Sequence, residues 1–392
     1  MRATSGHSAP PRVRASLALV ALLALPGHGL ADAPTPPEAG YPPLGTEVMV
    51  PDLSPAEATP DPIAAFHGLT GGPAVDTPTR PTAPAVAVGP AEPIAPPPVN
   101  RLSVMLDWYP SPRHAALYVA QARDLFASRG LEVELRAPAD PDVPTKLLAA
   151  ERVDLALTRQ PLLHLMVDRG QPLVRVATLV GVPLAALVVR EDAGIEGPGQ
   201  LAGSRLGHAD LDDEAVLLAS LLARHEIPRE ALDSPDLHFR LEEAMREGRV
   251  DGVIGAVRYL LPRALADEGL ATRTYTTDAM GVPRHDGLIL VANRERLVRQ
   301  RDAITRLVDA LEEATAWLVE HPEQGWALLA ATEPALDTPT NRAAWPAALA
   351  RLTLTPAALH ARRYADFERF LNEQGLVSAT TPVARLAIDP NR

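Results

Sequence analysis

The chain has 392 residues, of which 46% are hydrophobic, and this is enough apolar sequence to build two folded domains. Its formal net charge of −12 argues against nucleic acid or an anionic membrane surface as the main partner. Cysteine is absent, which excludes disulfides, thiolate metal sites, cysteine nucleophiles and iron–sulfur clusters.

Residues 1–33 have the pattern of a secretory signal peptide. Arginines precede the apolar run 15–26, and small residues such as Gly29 and Ala31 follow it. We expect cleavage after Ala31 and a mature protein that is soluble in a bacterial periplasm. The alternative is an uncleaved membrane anchor, although the apolar run is short for a bilayer span.

Residues 34–100 differ in composition from the rest of the chain. They are rich in proline, alanine, threonine and glycine, contain few large apolar residues and show little periodicity. Such a composition predicts a disordered or polyproline-like spacer without a core of its own.

From Arg101 onward, apolar runs that predict strands alternate with amphipathic runs that predict helices. Strands are expected at 102–106, 131–135, 154–157, 173–180, 184–189, 205–208, 237–239, 252–256, 272–275 and 288–291. Helices are expected at 113–129, 144–150, 160–169, 212–225, 241–247, 258–268, 304–320, 322–331, 342–352 and 356–373. This alternation predicts an α/β protein in which a parallel sheet, covered on both faces, is followed by a second run of the same kind.

Two apolar segments, near 184–190 and 287–293, predict two connections between a pair of α/β lobes. The first lobe would consist of 101–187 together with 288–392, and the second of 188–287. A ligand would bind in the central cleft, and closure would bring both walls onto it.

Asp154 and Asp251 lie in similar contexts, ERVDLALTR and GRVDGVIGA, and each comes just before a predicted buried strand. The two lobes therefore share a local design. The same pattern is also compatible with any doubly wound enzyme.

The turn after the first strand is the strongest candidate site. It holds Trp108, Tyr109, Ser111 and His114 between the carboxyl end of a strand and the start of a helix. Aromatic rings provide stacking surface, and N–H groups with polar side chains provide directed hydrogen bonds, so the turn suits a small planar polar ligand. The alternative is that Trp108 and Tyr109 simply close the core under this turn.

Polar residues after later strands are further candidates. Gln160 begins the third predicted helix, and Asp213 and Glu214 begin another, where carboxylates contact a ligand or merely complement the helix dipole. Arg258 and Tyr259 follow a strand of the second lobe and are expected to project into the cleft. Arg258 could equally tie the two lobes together.

Several segments in order, among them LDWYPSPRHAALYVA, VDGVIGAVRY and GVPRHDGLILVAN, resemble the periplasmic pyrimidine-precursor binding proteins of bacterial ABC transporters, in particular the formylaminopyrimidine-binding type of thiamin salvage. The resemblance runs from Arg101 to the C-terminus. It implies a type II periplasmic-binding-protein fold with two α/β lobes, a central ligand cleft and a helical C-terminal region. It also implies a monomeric receptor that binds a small pyrimidine-like molecule and docks to an inner-membrane permease.

The same resemblance assigns roles to individual residues. Trp108 matches the tryptophan expected to stack on the pyrimidine, and His114 and Tyr118 match polar positions of the first motif. Because the matches are local, these roles are expectations for this chain.

Four positions depart from the family pattern. Asparagine is usual where this chain has Ser111, tyrosine where it has Arg159 and His285, and glutamate where it has Gly287. A carboxylate at the last position would accept hydrogen bonds from ring amino groups. Three other carboxylates could take over that role: Asp213, Glu214 and Asp286.

No motif indicates a cofactor or a metal. The histidines are scattered without an HExxH pattern, and the sequence contains no P-loop, no Gly-x-Gly-x-x-Gly and no Gly-x-Ser-x-Gly. We therefore expect a binding protein that needs no cofactor and no metal.

Two alternatives remain open. One is an enzyme resembling the eukaryotic pyrimidine synthase, but that type needs a cysteine-rich iron motif and a lysine for pyridoxal phosphate. This chain has no cysteine, and its only lysine, Lys146, lies away from the expected position. The other is a divergent receptor or tethered sensor for another small ligand, with the spacer as its tether.

Overall fold

Nine β-strands form two separate sheets in the computed structural model, which describes residues 99–392. In chain order they are β1 (Asn100–Met105), β2 (Leu131–Arg136), β3 (Leu155–Thr158), β4 (Leu173–Val180), β5 (Ala185–Arg190), β6 (Leu206–Gly207), β7 (Gly252–Val257), β8 (Thr272–Thr276) and β9 (Leu288–Asn293). One sheet has the order β2-β1-β3-β9-β4, and the other has the order β6-β7-β5-β8. The chain therefore crosses to the second sheet after β4 and returns before β9.

Helices cover the sheets and follow them toward the C-terminus. They are α1 (Ala115–Ala122), α2 (Val143–Ala149), α3 (Gln160–Asp168), α4 (Ala219–Arg224), α5 (Leu241–Arg246), α6 (Leu261–Asp267), α7 (Leu297–Glu320), α8 (Pro322–Thr332), α9 (Pro339–Leu349), α10 (Ala361–Glu373) and α11 (Val383–Leu386). A π-helical turn over Asp213–Leu218 leads directly into α4. The helix predicted at 113–129 is shorter in the structure, because Asp124 adopts a left-handed φ of 56° just after α1.

The sheets are mixed, so the prediction of parallel sheets was wrong for two strands. β9 runs antiparallel to both β3 and β4, and β5 runs antiparallel to both β7 and β8. Each of these strands starts directly after a crossing between the sheets, where β3, β4 and β7 end. A strand that enters a sheet from that edge must run opposite to its neighbours.

Each sheet is buried between helices. Every residue of β4 and of β9 is buried, and Leu117 of α1 and Leu307 of α7 belong to the same core cluster. In the second sheet, Leu187 of β5 packs in a core with Leu221 of α4. Strands that are covered on both faces carry continuous apolar runs, which is why β9 has the sequence LILVAN. We propose 101–187 with 288–392 as the first lobe and 188–287 as the second, with the correction that β5 starts at Ala185, so residues 185–187 already pair within the second sheet.

Two aspartates join neighbouring strands in the same way, which confirms the shared local design. Asp154, before β3, accepts hydrogen bonds from the backbone N–H and the hydroxyl of Ser103 in β1, both at 2.9 Å. Asp251, before β7, accepts from the backbone N–H of Arg205 at 2.7 Å. These bonds fix the amino ends of β3 and β7, so the opposite ends are free to build a site.

The predicted signal peptide and almost all of the predicted spacer lie outside the described residues. Within residues 99–392, no helix has both the length and the apolar character that crossing a bilayer requires.

Candidate functional site

A cavity of about 140 Å³ lies between the two lobes, at the edge where the strands end, and we call it the cleft cavity. An apolar cavity of about 150 Å³ accommodates benzene, so the cleft cavity has room for one six-membered ring. Its apolar wall includes Trp108, Leu184 and Leu261. Its charged lining comes from both lobes: Asp107, Arg113, Arg159, Asp210, Asp213 and Glu242.

Three aromatic rings meet across the cleft, and we call them the aromatic clasp: Trp108, Tyr109 and Phe239. The ring centre of Phe239 lies 4.7 Å from that of Trp108 in an edge-to-face arrangement and 4.4 Å from that of Tyr109. Trp108 and Phe239 both line the cleft cavity, whereas Tyr109 is 51% exposed. The clasp therefore joins the lobes and gives the cavity an aromatic wall.

Phe239 was missed in the sequence because 237–239 was predicted to be a strand, and this prediction was wrong. These residues form a loop, since His238 has a left-handed φ of 50° that an extended strand does not allow. Nδ1 of His238 also lies 2.9 Å from the carboxylate oxygen Oδ2 of Asp140 in the first lobe. The scarcity of aromatic residues was the one signal that could have marked Phe239.

Asp107 organises the turn that follows β1. Its carboxylate lies 3.1 Å from Nη2 of Arg113 and 2.8 Å from Nε2 of His114. Burial alone would raise the pKa of Asp107, but the Arg113 charge and the His114 hydrogen bond outweigh it and hold the pKa below its usual range. Nδ1 of His114 accepts from the backbone N–H of Ser111 at 3.2 Å, so its Nε2 carries the proton that it donates to Asp107. Ser111 and His114 thus fix the turn through buried contacts and do not line the cleft cavity.

One arginine faces three aspartates across the cleft, and we call this group the interlobe ion cluster. Arg159 precedes α3 in the first lobe, and its Nη2 lies 2.8 Å from Asp210, 2.6 Å from Asp212 and 3.4 Å from Asp213. The three aspartates belong to the second lobe, and all four side chains are largely buried. The cluster thus ties the lobes together and contains more carboxylates than cations.

Two of the aspartates in this cluster have raised pKa values. Burial raises the pKa of Asp210 to about 7, although the Arg159 charge opposes the shift and the Asp212 charge adds to it. Burial also raises the pKa of Asp213 well above its ordinary value, although the positive charge of Arg159 opposes this shift. A ligand that donates hydrogen bonds or carries positive charge would relieve this surplus.

Asp213 occupies a niche made by a glycine. It starts the π-helical turn, and its Oδ2 accepts a hydrogen bond from the backbone N–H of Asp210 at 3.1 Å. The carboxylate sits against Gly255 of β7, which has a left-handed φ of 90° at an irregularity in the β5–β7 pairing, and a Cβ there would overlap it. Oδ1 of Asp213 is buried and accepts no hydrogen bond from residues 99–392, although it lies 3.4 Å from Nη2 of Arg159 in the ion pair described above. Asp213 therefore offers a carboxylate oxygen in the cavity wall that can still accept a hydrogen bond.

Gly287 lines the cleft cavity at the position where the family resemblance places a glutamate. A Cβ here would overlap the carbonyl oxygen of Val182 and crowd Leu184. The returning crossing passes so close to the first crossing that no side chain fits between them. The usual carboxylate has no room in this chain.

Three other predicted contact residues do not line the cleft cavity. Tyr118 is buried in the core of the first lobe. Gln160 accepts a hydrogen bond from the backbone N–H of Asp286 at 2.8 Å, and Glu214 forms an ion pair with Arg229 at 2.7 Å. Their positions in the sequence are next to the site, but their side chains are used elsewhere.

Asp286 is buried at the base of the returning crossing. Its carboxylate accepts hydrogen bonds from the hydroxyls of Thr178, at 2.8 Å, and Tyr364, at 3.2 Å, and it forms an ion pair with Arg363. With these partners it fastens the crossing to the first lobe and does not line the cleft cavity.

Arg258 and Tyr259 also lie beside the crossings. The backbone N–H of Arg258 donates to the carbonyl of Leu184 at 2.9 Å, while its side chain lines a second cavity. Tyr259 packs against the first-lobe core, with the Arg351 guanidinium 5.4 Å from its ring centre. Of the residues predicted from sequence, Trp108, Arg159 and Asp213 are the ones that meet in the cleft cavity.

Comparison with known proteins places the chain among thiamine-related sequences. The family described as NMT1/THI5 like matches residues 111–325. A Haemophilus influenzae protein named for thiamine biosynthesis is 36% identical over 291 residues, covering 74% of this chain and 92% of the relative. The formylaminopyrimidine-binding protein of Halalkalibacterium halodurans is 28% identical over 242 residues, covering 62% and 73%. A 4-amino-5-hydroxymethyl-2-methylpyrimidine phosphate synthase of Uromyces fabae is 23% identical over 257 residues, covering 62% and 74%.

Solved structures confirm the fold. The alkanesulfonate-binding protein of Xanthomonas axonopodis pv. citri matches with a TM-score of 0.59 at 16% identity, covering 74% of this chain and 98% of that one. The periplasmic aliphatic sulphonate binding protein of Escherichia coli matches with a TM-score of 0.56 at 17% identity, covering 73% and 91%. The periplasmic-binding-protein fold predicted from the sequence is therefore correct, and at these identities the likeness concerns the fold alone.

Proposed function

This chain belongs to the NMT1/THI5-like family, and we propose that it is the periplasmic solute-binding receptor of an ABC importer and captures a thiamin pyrimidine precursor, such as formylaminopyrimidine, in the cleft cavity. The observation that carries the proposal is a ring-sized cavity that combines an aromatic wall with a buried carboxylate oxygen of Asp213 that accepts no hydrogen bond from residues 99–392. The name of the formylaminopyrimidine-binding relative supports the choice of ligand.

The aromatic wall suits the flat face of a pyrimidine. Trp108 lines the cavity from the first lobe and Phe239 lines it from the second. Stacking of a base on an aromatic side chain contributes about 1–3 kcal/mol, and the rest of the ring is removed from water by the apolar lining.

The carboxylates suit the amino groups of an aminopyrimidine. Asp213 and Asp210 both line the cavity, and Arg159 neutralises only part of their combined charge. An exocyclic N–H donated to Oδ1 of Asp213 would give a hydrogen bond to a buried oxygen that has an ion pair with Arg159 at 3.4 Å but accepts no hydrogen bond from residues 99–392. Asp213 would thereby take over the role of the glutamate for which Gly287 leaves no room.

Capture would follow from closure of the two lobes. The aromatic clasp and the interlobe ion cluster already join the lobes around the cavity, so a ligand held between them contacts both walls at once. A ligand that binds the closed form better shifts the population toward it, and that form would dock to an inner-membrane permease.

The synthase alternative lacks its chemical groups at this site. Lys146 is on α2, 64% exposed, and pairs with Asp142 at 3.2 Å, so the chain's lysine does not line the cleft cavity. The absence of cysteine removes the iron motif that this alternative needs. A binding protein remains the function that the residues favour.

Calorimetric titration with formylaminopyrimidine and with hydroxymethylpyrimidine tests the proposal. We expect one-to-one binding, weakened about 5- to 100-fold in Trp108→Ala through the lost stacking. Trp317→Ala is the matched control, because Trp317 is on α7 and stacks with Arg123 and His321 rather than lining the cleft cavity. Absence of saturable heat from both compounds, with a folded protein, would refute the pyrimidine assignment.

A further inference from the structure

A second cavity, of about 490 Å³, lies beside the two crossings, and we call it the hinge cavity. Its wall includes Val182 of the first crossing and Arg284 of the returning one. Arg258 approaches from the second lobe, and residues 350–353 and Arg363 approach from the first. Both lobes and both crossings therefore contribute to one concave surface.

The lining of the hinge cavity is strongly basic. It contains four arginines and one histidine, and none of its lining residues is acidic: Arg258, Arg284, Arg351, Arg363 and His360 supply the charge. Arg363 is neutralised by its ion pair with Asp286. The other three arginines have no ion pair with any acidic residue among residues 99–392.

Two of these arginines lie partly buried with unused donors. Nε of Arg258 and Nε of Arg351 are buried and have no hydrogen-bond partner among residues 99–392. Burial lowers the pKa of Arg258, and the neighbouring positive charge of Arg351 lowers it further, while the charge of Asp278 opposes the shift. Like charges held close together destabilise the unoccupied protein, so an occupant of opposite charge is the natural complement.

We propose that the hinge cavity is a binding site for a small molecule that carries a phosphate or pyrophosphate group. Guanidinium groups match phosphate oxygens in geometry and charge, and several of them around one concavity suit a tetrahedral dianion better than a single carboxylate. Thr353 also lines the cavity and adds a hydroxyl group that can form hydrogen bonds. The volume exceeds that of the cleft cavity more than threefold, which leaves space for the rest of a phosphate ester.

The proposed site is independent of the cleft cavity in its chemistry and shares no lining residue with it. Its occupant would contact Arg258 of one lobe and Arg351 of the other, and so would bridge them. Binding in the two cavities can therefore be tested separately.

Titration of the purified chain with inorganic phosphate and with pyrophosphate at constant ionic strength tests the proposal, with succinate as a carboxylate probe. We expect saturable binding of phosphate or pyrophosphate, weakened at least about tenfold in Arg258→Gln and in Arg351→Gln because each removes a charge-assisted contact. Arg299→Gln is the matched control, since Arg299 is an exposed arginine of α7 outside the cavity, and its effect should stay below about twofold. Asp213→Asn should likewise leave phosphate binding unchanged.

Three results would overturn the site. The first is that neither phosphate nor pyrophosphate binds saturably. The second is that succinate binds as tightly as the phosphate probes. The third is that Arg299→Gln weakens phosphate binding as much as the cavity variants do. If Arg258→Gln or Arg351→Gln fails to fold, Arg284→Gln replaces it, because Arg284 is exposed on the returning crossing. Unchanged phosphate affinity in that variant would count against the proposal in the same way.

Discussion

The cleft cavity and the hinge cavity border the same two crossings and have opposite chemistry. The cleft cavity has an aromatic wall and more carboxylates than it can neutralise, while the hinge cavity is lined by arginines that mostly lack an acid. Two adjacent residues of the returning crossing serve different cavities. Gly287 lines the cleft cavity, whereas Asp286 forms an ion pair with Arg363 of the hinge cavity. Surplus charge of either sign in a concave surface indicates a missing partner, and the two signs indicate two different ones.

The largest expected effect concerns Arg159, the cation of the interlobe ion cluster. Arg159→Gln leaves the buried carboxylates of Asp210, Asp212 and Asp213 without their counter-ion. We expect a loss of about 3–5 kcal/mol in unfolding free energy at pH 8, and a smaller loss at pH 5, where the aspartates take up protons instead. Denaturant unfolding at both pH values measures the difference.

The control for that experiment is Arg229→Gln. Arg229 pairs with Glu214 at the surface, and we expect it to contribute less than about 1 kcal/mol. Equal losses in the two variants would contradict the central role of the interlobe ion cluster.

The next effect is a dependence of stability on pH. The pKa of Asp210 is raised to about 7 in the folded chain, against about 3.9 in an unfolded one. Between about pH 4 and pH 7 the folded state keeps a proton on Asp210 that the unfolded state releases. The unfolding free energy therefore falls as the pH rises through this range, and Asp210 causes no further fall above about pH 7. Asp210→Asn should therefore gain stability relative to the wild type across that window, by up to about 4 kcal/mol.

Chemical denaturation of both proteins from pH 4 to pH 8 provides that comparison. Taking the difference between them cancels the opposite contribution of His285, whose pKa burial lowers to about 4, although its hydrogen bond to the Pro283 carbonyl opposes the shift. A difference that does not change with pH would show that Asp210 is ionised throughout.

The third prediction concerns the contact between the crossings. Gly287→Ala places a methyl group against the Val182 carbonyl and Leu184, and should lower the unfolding free energy by about 1–3 kcal/mol. Gly197→Ala is the matched control, because a Cβ at Gly197 meets no atom within 4 Å. If Gly287→Ala proves as stable as its control, a Cβ fits at this position, and the steric argument against a side chain between the crossings is wrong.

The smallest predicted effect concerns the aromatic clasp. Phe239→Leu removes the ring that packs against Trp108 and Tyr109 but keeps most of the apolar volume. We expect a loss of about 1 kcal/mol in the affinity for a ring-shaped ligand, or about fivefold. Phe370→Leu, in a helix outside the cleft, should leave the affinity unchanged, and an equal loss there would rule out a specific role for the clasp.

The sequence predicted the parts of the site that lie directly after strands. Trp108 follows β1 and Arg159 follows β3, and residues at the ends of neighbouring strands meet at one edge. Phe239 was not predictable in this way, because it reaches the cleft from a loop whose path depends on the left-handed backbone of His238. The path of such a loop depends on packing against residues far away in the sequence, so the local sequence pattern does not predict it.

The same limit applies to residues that are close to the site in sequence but turned away from it. Tyr118 lies in α1, the helix that follows the aromatic turn, yet its side chain packs in the core of the first lobe. Asp286 was a plausible replacement for the missing glutamate, but Thr178 and Arg363 occupy its carboxylate. Asp213, in contrast, does line the cleft cavity. It can do so because Gly255 has no side chain that would overlap its carboxylate.

The most direct test of the account compares two adjacent carboxylates by calorimetric titration with formylaminopyrimidine. Asp213 lines the cleft cavity, and its Oδ1 accepts no hydrogen bond from residues 99–392, while Glu214 pairs with Arg229 at the surface. The account predicts one-to-one binding that Asp213→Asn weakens by about 10- to 100-fold and that Glu214→Gln leaves within about twofold. Binding that is equally strong in both variants, or none in the folded wild type, would contradict it.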